Sequence, residues 1–200
     1  MPRYSKSVIF ILCLLPLFSI VWDGATGGLG ANPVEKVTHR TGDWALRILL
    51  LTMAITPLRI LSGRKSLVRF RRMLGLFCFF YAFLHFSIYL VFDHFFNLAD
   101  IIKDIVKRPY ITVGFAAFVL LIPLAVTSTN SMQRKLGKRW KQLHQLVYFV
   151  ALFGILHYLW QAKADLVQPL LHAAILLILL VIRAWHQRRS VGGIVRETES

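Results

Sequence analysis

Six apolar runs divide the chain, at about residues 7–22, 43–61, 73–95, 110–127, 143–160 and 167–186. Each is long enough to cross a hydrocarbon core of about 30 Å as a helix. In lipid every backbone polar group needs an internal partner, so only helices or closed barrels span. The apolar residues run continuously rather than alternating, which selects helices. The fold class is an all-α integral membrane protein, a six-helix bundle, with residues 1–200 expected to form one domain. Pro16, Pro57 and Pro123 fall inside spans, where a kinked backbone is tolerated. Pro109 stands where a helix starts. Composition agrees, with 16% charged residues against roughly 25% in a soluble domain.

A net charge of +15 raises nucleic acid as a partner class. The Lys and Arg residues lie between apolar spans, however, and no nucleic-acid motif is present. They read better as topology. Arg64, Lys65, Arg69, Arg71 and Arg72 lie between spans two and three, with Arg59 just inside the helix. Arg134, Lys135, Lys138, Arg139 and Lys141 lie between spans four and five. Neither segment contains an acid. Glu35, Asp93, Asp100, Asp104 and Asp165 fall on the other side. The positive-inside rule then places both termini in the cytoplasm. Connections 23–42, 96–109 and 161–166 face outward, and none is large enough for a separate domain. No repeat or low-complexity tract is evident. Arg3 and Lys6 precede the first run as in a signal peptide, but "WDGATGG" is a poor cleavage site, so a retained helix is expected. Cys13 and Cys78 lie in spans without a CxxC partner and read as small buried hydrophobes.

The histidines carry the functional signal, because ionisable groups at membrane depth are uncommon and default to functional hypotheses. His85 lies mid-helix in span three, and His157 lies in the outer half of span five. Counted from the inner helix ends at 1.5 Å per residue, they reach nearly the same level. Two imidazoles on separate helices can grip an iron porphyrin between them, which makes this the natural pair for an outer haem. His144 stands near the inner end of span five, about 19.5 Å below His157, a stacking distance suited to a second haem. Thirteen ideal helical steps, however, leave those two rings roughly 140° apart. His172 and His186 have the better spacing of 14. Yet His186 sits in "RAWHQRR", where a solvated interfacial ring is the simpler reading. His172 reads as a helix–helix hydrogen bonder, and His39 and His94 as loop or helix-end groups.

Several stretches carry a resemblance: "GGLGANPVEKVTHRTG", "RFRRMLGLFCFFYAFLHFSIY", "RPYITVGF", "TSTNSMQRKLGKRWKQLHQLVY" and "ILHYLW". Roughly from Trp22 to Leu170, the chain resembles the MsrQ (formerly YedZ) family. These are haem-binding membrane subunits of bacterial protein-methionine-sulfoxide reductase systems, within the ferric-reductase-like transmembrane group. The resemblance implies b-type haem, one or two per chain, ligated by His85, His144 and His157. It implies electron flow from the quinone pool, or from a cytosolic flavin reductase, across the bacterial inner membrane. The acceptor would be a periplasmic molybdopterin enzyme, MsrP-like, that reduces methionine sulfoxide in proteins. A bound FMN is implied as well, although no residue pattern here fixes an FMN or quinone site. One departure stands out. The wider group carries two histidines in each ligand helix, and span three has only His85.

The sequence therefore predicts an electron-relay subunit embedded in membrane lipid, with substrate reduction on a partner. No nucleophile–base set and no HExxH motif appears. Two rivals predict different results. A histidine-dependent proton or solute transporter would work in vesicles without haem, and a structural anchor would keep its partner active after histidine replacement. A self-sufficient ferric reductase would need a fused flavin and nicotinamide domain.

Overall fold

The computed structural model describes residues 4–162 and 165–198, with side chains through residue 188. Its helices are α1 (Ser5–Thr26), α2 (Pro33–Ser62), α3 (Val68–Ile88), α4 (Leu98–Lys107), α5 (Pro109–Val126), α6 (Asn130–Leu136), α7 (Lys138–Leu143), α8 (Val147–Gln161) and α9 (Val167–Thr198). Short 3-10 turns at Lys65–Leu67 and His144–Leu146 lead into α3 and α8, and a π-turn at Tyr89–Asp93 ends α3. No strand occurs among the described residues. Six segments are long and apolar enough to cross a membrane: Ser5–Thr26, Pro33–Ser62, Lys65–Asp93, Pro109–Val126, Lys138–Gln161 and Val167–Arg188. The protein is multi-pass.

The helix starts follow from local chemistry. Asn32 caps α2, accepting from the Glu35 N–H at 3.4 Å and donating to the Glu35 carboxylate at 2.7 Å, with Pro33 in the first turn. α2 therefore begins some ten residues before its apolar run. This corrects the expectation that 23–42 is a loop, and it moves His39 onto a helix. The polar stretch "VEKVTH" hides these first turns from a hydropathy reading. Asn97 caps α4 in the same way, accepting from the Ala99 and Asp100 N–H groups. The connection 96–109 is thus helical, with Leu98, Ile102 and Val106 exposed along one stripe and Ile101 turned inward. Gly137, at φ 51°, separates α6 from α7, so the basic segment before α8 is helical too.

α2 and α3 pack most extensively, followed by α5 and α8; α9 lies against α2 and α8, and α1 against α2 and α3. The core runs along Leu46, Leu49 and Met53 of α2, Leu74, Cys78 and Tyr81 of α3, Leu121 of α5, and Val150, Ala151 and Ile155 of α8. Cys13 and Cys78 are buried thiols. Lipid tails are as apolar as leucine, so helices associate here through close packing and hydrogen bonds rather than hydrophobic gain.

Tyr81 shows what such a bond does. Fully buried, its hydroxyl donates to the Cys13 carbonyl at 2.7 Å and accepts from the Leu17 N–H at 3.1 Å. It inserts into the α1 ladder beside Pro16 and pins that helix to α3. Tyr81→Phe should weaken α1 docking by about 1–3 kcal/mol. Maleimide labelling of Cys13 in detergent should then speed up about tenfold, since 1.4 kcal/mol is tenfold in an opening equilibrium. Unchanged labelling would show that α1 is held by other contacts.

Candidate functional site

Two helix pairs each place one histidine against a neighbour's backbone. From α3, His85 donates its Nδ1–H to the Thr38 carbonyl of α2 at 2.8 Å. From α8, His157 donates its Nδ1–H to the Tyr110 carbonyl of α5 at 2.7 Å. A carbonyl only accepts, so the proton of each neutral ring sits on Nδ1 and the lone pair is left on Nε2. That is the tautomer a metal-binding imidazole needs, with the outer hydrogen bond fixing ring orientation and raising basicity.

Glycine makes this approach possible. A Cβ at Gly42 would sit 3.1 Å from His85 Nδ1 and Cε1, and one at Gly114 would sit 2.6 Å from His157 Nδ1. Gly42 follows Thr38 by one helical turn, and Gly114 follows Tyr110 likewise. The ring reaches the carbonyl through the gap that the missing side chain leaves. Acceptor and histidine are 47 residues apart in both pairs. One shift thus carries Thr38, Gly42 and His85 onto Tyr110, Gly114 and His157. The sequence reading finds no repeat, because outside these positions few residues match. The same shift carries Arg72 onto His144. Where a second histidine of α3 would stand, an exposed guanidinium instead donates to Asn130 Oδ1 at 2.5 Å.

The two rings meet with centroids 6.1 Å apart and planes at 77°. A metal between two imidazoles produces nearly this separation. About 2.0 Å from each nitrogen to the metal, and roughly 1.1 Å from nitrogen to centroid, give about 6.2 Å. Both rings line a cavity of about 670 Å³, within the roughly 300–1,000 Å³ of cofactor sites. Its walls include Leu46, Phe86, Phe115, Phe118 and Leu121, and its mouth carries His39, His94, Asp104, Arg108 and Gln161. Phe86 stacks on Phe118 at 4.7 Å. The Tyr110 phenol, and then the Asp104 carboxylate, hold the Arg108 guanidinium above its usual range, so a fixed cation stands at the mouth. A flat, apolar, metal-centred ring fits the aromatic walls and the histidine pair; Arg108 is ion-paired with Asp104 at 3.3 Å, and Glu35, Asp43 and Asp93 also line the cavity.

His144 lies apart from that pair. Its ring stacks on Trp140 at 4.0 Å, and its Nε2 is 3.1 Å from Thr127 Oγ1. The Thr127 hydroxyl is committed to the Pro123 carbonyl at 2.6 Å, so Nε2–H of His144 donates to it and Nδ1 holds the lone pair. The 3-10 turn at His144–Leu146 advances about 120° per residue instead of about 100°. The angle between the His144 and His157 directions thereby falls from roughly 140° to roughly 80°. The turn narrows the mismatch between the two ring directions without removing it.

The remaining histidines separate clearly. His39 pairs with Gln161 Nε2 at 2.5 Å and lines the cavity, and His94 pairs with Asp104 at 3.1 Å. His172 is buried, with Nδ1–H on the Gln168 carbonyl at 2.7 Å and its ring edge towards Tyr158. His186 is exposed, so the favourable spacing of His172 and His186 leads to two unlike surroundings. Gly42, Gly114 and Arg108 are not singled out by the sequence reading. The available signal was Gly114, a glycine inside an apolar run, which costs about 1 kcal/mol against alanine in a helix and so asks for a reason.

A six-helix bundle that brings histidines of two helix pairs to one apolar cavity defines a class. Residues 41–155 match the family described as "Ferric reductase like transmembrane component". Within it, the chain is 56% identical to the protein-methionine-sulfoxide reductase heme-binding subunit MsrQ of Herminiimonas arsenicoxydans, over 92% of this chain and 87% of the relative. Proteins of the same description from Ralstonia nicotianae and Bordetella pertussis are 51% and 50% identical, over 92% of this chain and 86% and 91% of theirs. The chain belongs to the ferric-reductase-like transmembrane family and, within it, to the MsrQ group.

Proposed function

We propose that this protein is the haem b-binding electron-transfer subunit of a bacterial protein-methionine-sulfoxide reductase system. It sits in the inner membrane with both termini cytoplasmic. It passes electrons outward, from quinol or a cytosolic flavin reductase, to a periplasmic molybdopterin reductase of the MsrP kind. The observation that carries this reading is the facing pair His85 and His157, each with Nδ1–H on a backbone carbonyl and their centroids 6.1 Å apart. The names of the MsrQ relatives support it.

When bound, a haem would supply the reversible one-electron chemistry of its iron. The protein supplies the rest. His85 and His157 present Nε2 lone pairs from two helix pairs. Gly42 and Gly114 let the rings seat, and the Thr38 and Tyr110 carbonyls hold their orientation. The aromatic wall excludes water, which sets the dielectric around the site. Arg108 balances carboxylate charge at the mouth. His144 is the candidate ligand of an inner haem, through Nδ1. FMN, implied by the resemblance, has no residue set assigned to it.

The direct test is a reduced-minus-oxidised visible spectrum of the purified chain. A dithionite-reducible haem b band is expected, with pyridine haemochrome giving the haem-to-protein ratio. A chain that folds and purifies without such a band would reject the proposal.

A further inference from the structure

The chain between α3 and α5 carries an apolar surface that the redox reading does not use. Phe95, Phe96, Leu98, Ile102 and Val106 are between 62% and 81% exposed. All five lie outside the lining of the histidine cavity. At about 100° per residue, Leu98, Ile102 and Val106 fall within an arc of about 80° on α4. Ile101 and Ile105 continue that arc towards the bundle, where Ile101 is buried and Ile105 lines the cavity. Asp100, Lys103 and Lys107 occupy the opposite arc and are exposed.

The rotation of α4 is set by polar ties. His94 Nε2 pairs with the Asp104 carboxylate at 3.1 Å, and Arg108 Nε pairs with it at 3.3 Å. The Thr112 hydroxyl of α5 donates to the Ile105 carbonyl. The outward stripe is therefore a fixed face of the helix. The preceding turn adds to it. Phe95 and Phe96 take φ of 47° and 61°, the left-handed region that a Cβ disfavours. Phe96 N–H donates to the Leu90 carbonyl at 3.0 Å, and Asn97 N–H to the His94 carbonyl at 2.8 Å, closing the turn. A strained backbone thus carries two phenyl rings outward. In water the strain and the exposure would both be unfavourable, and a contiguous apolar patch of this kind marks an interaction surface.

Topology says what covers it. α4 joins the crossing that ends at Asp93 to the crossing that begins at Pro109. Both of its ends are therefore held at one face of the membrane, and its ten residues make a rod of about 15 Å. Phe92, at the end of the α3 crossing, is half exposed and leads into the patch along the chain. We infer that α4 and the Phe95–Phe96 turn lie flat in the membrane interface, with Phe95, Phe96, Leu98, Ile102 and Val106 inserted among phospholipid acyl chains. Asp100, Lys103 and Lys107 then face headgroups and water. Helices with one apolar and one charged face take this position. The arrangement holds the cavity rim, to which Asp104 and Arg108 contribute, at headgroup depth.

The test uses the full chain in phosphatidylcholine–phosphatidylglycerol liposomes, with a nitroxide on one introduced cysteine. Cys13 and Cys78 are buried, and the parental chain gives the background. Power saturation compares collisions with oxygen, which concentrates in hydrocarbon, and with a nickel chelate, which stays in water. Labels on Ile102→Cys and Val106→Cys should favour oxygen, and labels on Lys103→Cys and Lys107→Cys should favour the chelate. All four positions are exposed, so the labels leave the packing intact. Chelate dominance at 102 and 106 would show the stripe facing water, overturn the lipid assignment and leave the face to a soluble partner protein. Dipolar broadening between labels at residue 102 would place a second copy of the chain there and overturn it as well. These readings need no haem, so their failure would leave the proposed function standing.

Discussion

His157→Ala should remove the reducible haem component of the wild-type spectrum, and His85→Ala should remove the same component rather than a second one. The two rings line one cavity with centroids 6.1 Å apart, so either variant leaves a single imidazole for the same group. Losing an outer hydrogen-bond partner of a metal ligand already costs about 10–100-fold in metal affinity. Losing the ligand itself should exceed that and leave no band after purification. His144→Ala should keep this component, because His144 packs with Trp140 and Thr127 and not with the pair. Truncating a buried ring also leaves a hole, so stability needs separate control. Added imidazole should restore the band in a folded His157→Ala chain and not in an unfolded one. If His85→Ala and His157→Ala removed different components, each ring would belong to a separate site, and the shared clasp would be wrong.

Much of this arrangement was legible because it depends on counting. Six apolar runs specify six crossings, and residues per helix specify depth, so His85 and His157 could be matched in level before any coordinates. Direction around the helix was harder. A 3-10 turn at His144–Leu146 changes the phase between His144 and His157, and no residue in "HQL" announces it. The start of α2 was hidden because its first turns are polar and are organised by the Asn32 cap rather than by hydropathy. The acceptors Thr38 and Tyr110 act through backbone atoms, which side-chain identity does not reveal. Arg183 was visible as a cation near a helix end. Its burial against Tyr148 and Met53 depends on how α9 packs, and that is a tertiary fact.

The glycines offer a test that leaves every ligand in place. At Gly114 a Cβ would lie 2.6 Å from His157 Nδ1 and 2.9 Å from Cε1, closer than real Cβ contacts allow, so the ring must move. Moving it breaks the 2.7 Å bond to the Tyr110 carbonyl, releases the Nδ1 proton from its fixed partner and turns Nε2 away. Gly114→Ala should therefore cut haem content about 10–100-fold, as loss of a ligand's supporting shell does. At Gly42 the nearest contacts are 3.1 Å, and His85 can yield by a few tenths of an ångström. Gly42→Ala should keep most of its haem while shifting the midpoint potential, since the ring stays bound with altered orientation. Gly75→Ala is the control, because its Cβ would meet only Thr52 at 3.8 Å. There alanine should be neutral or should stabilise α3 by up to about 1 kcal/mol through helix propensity. The order of effect is set by one distance at each position, and haem-to-protein ratios of the three variants read it directly. Gly114→Ala with full haem content would mean that His157 seats without the gap, and the backbone carbonyl would lose its assigned role in aiming the ring.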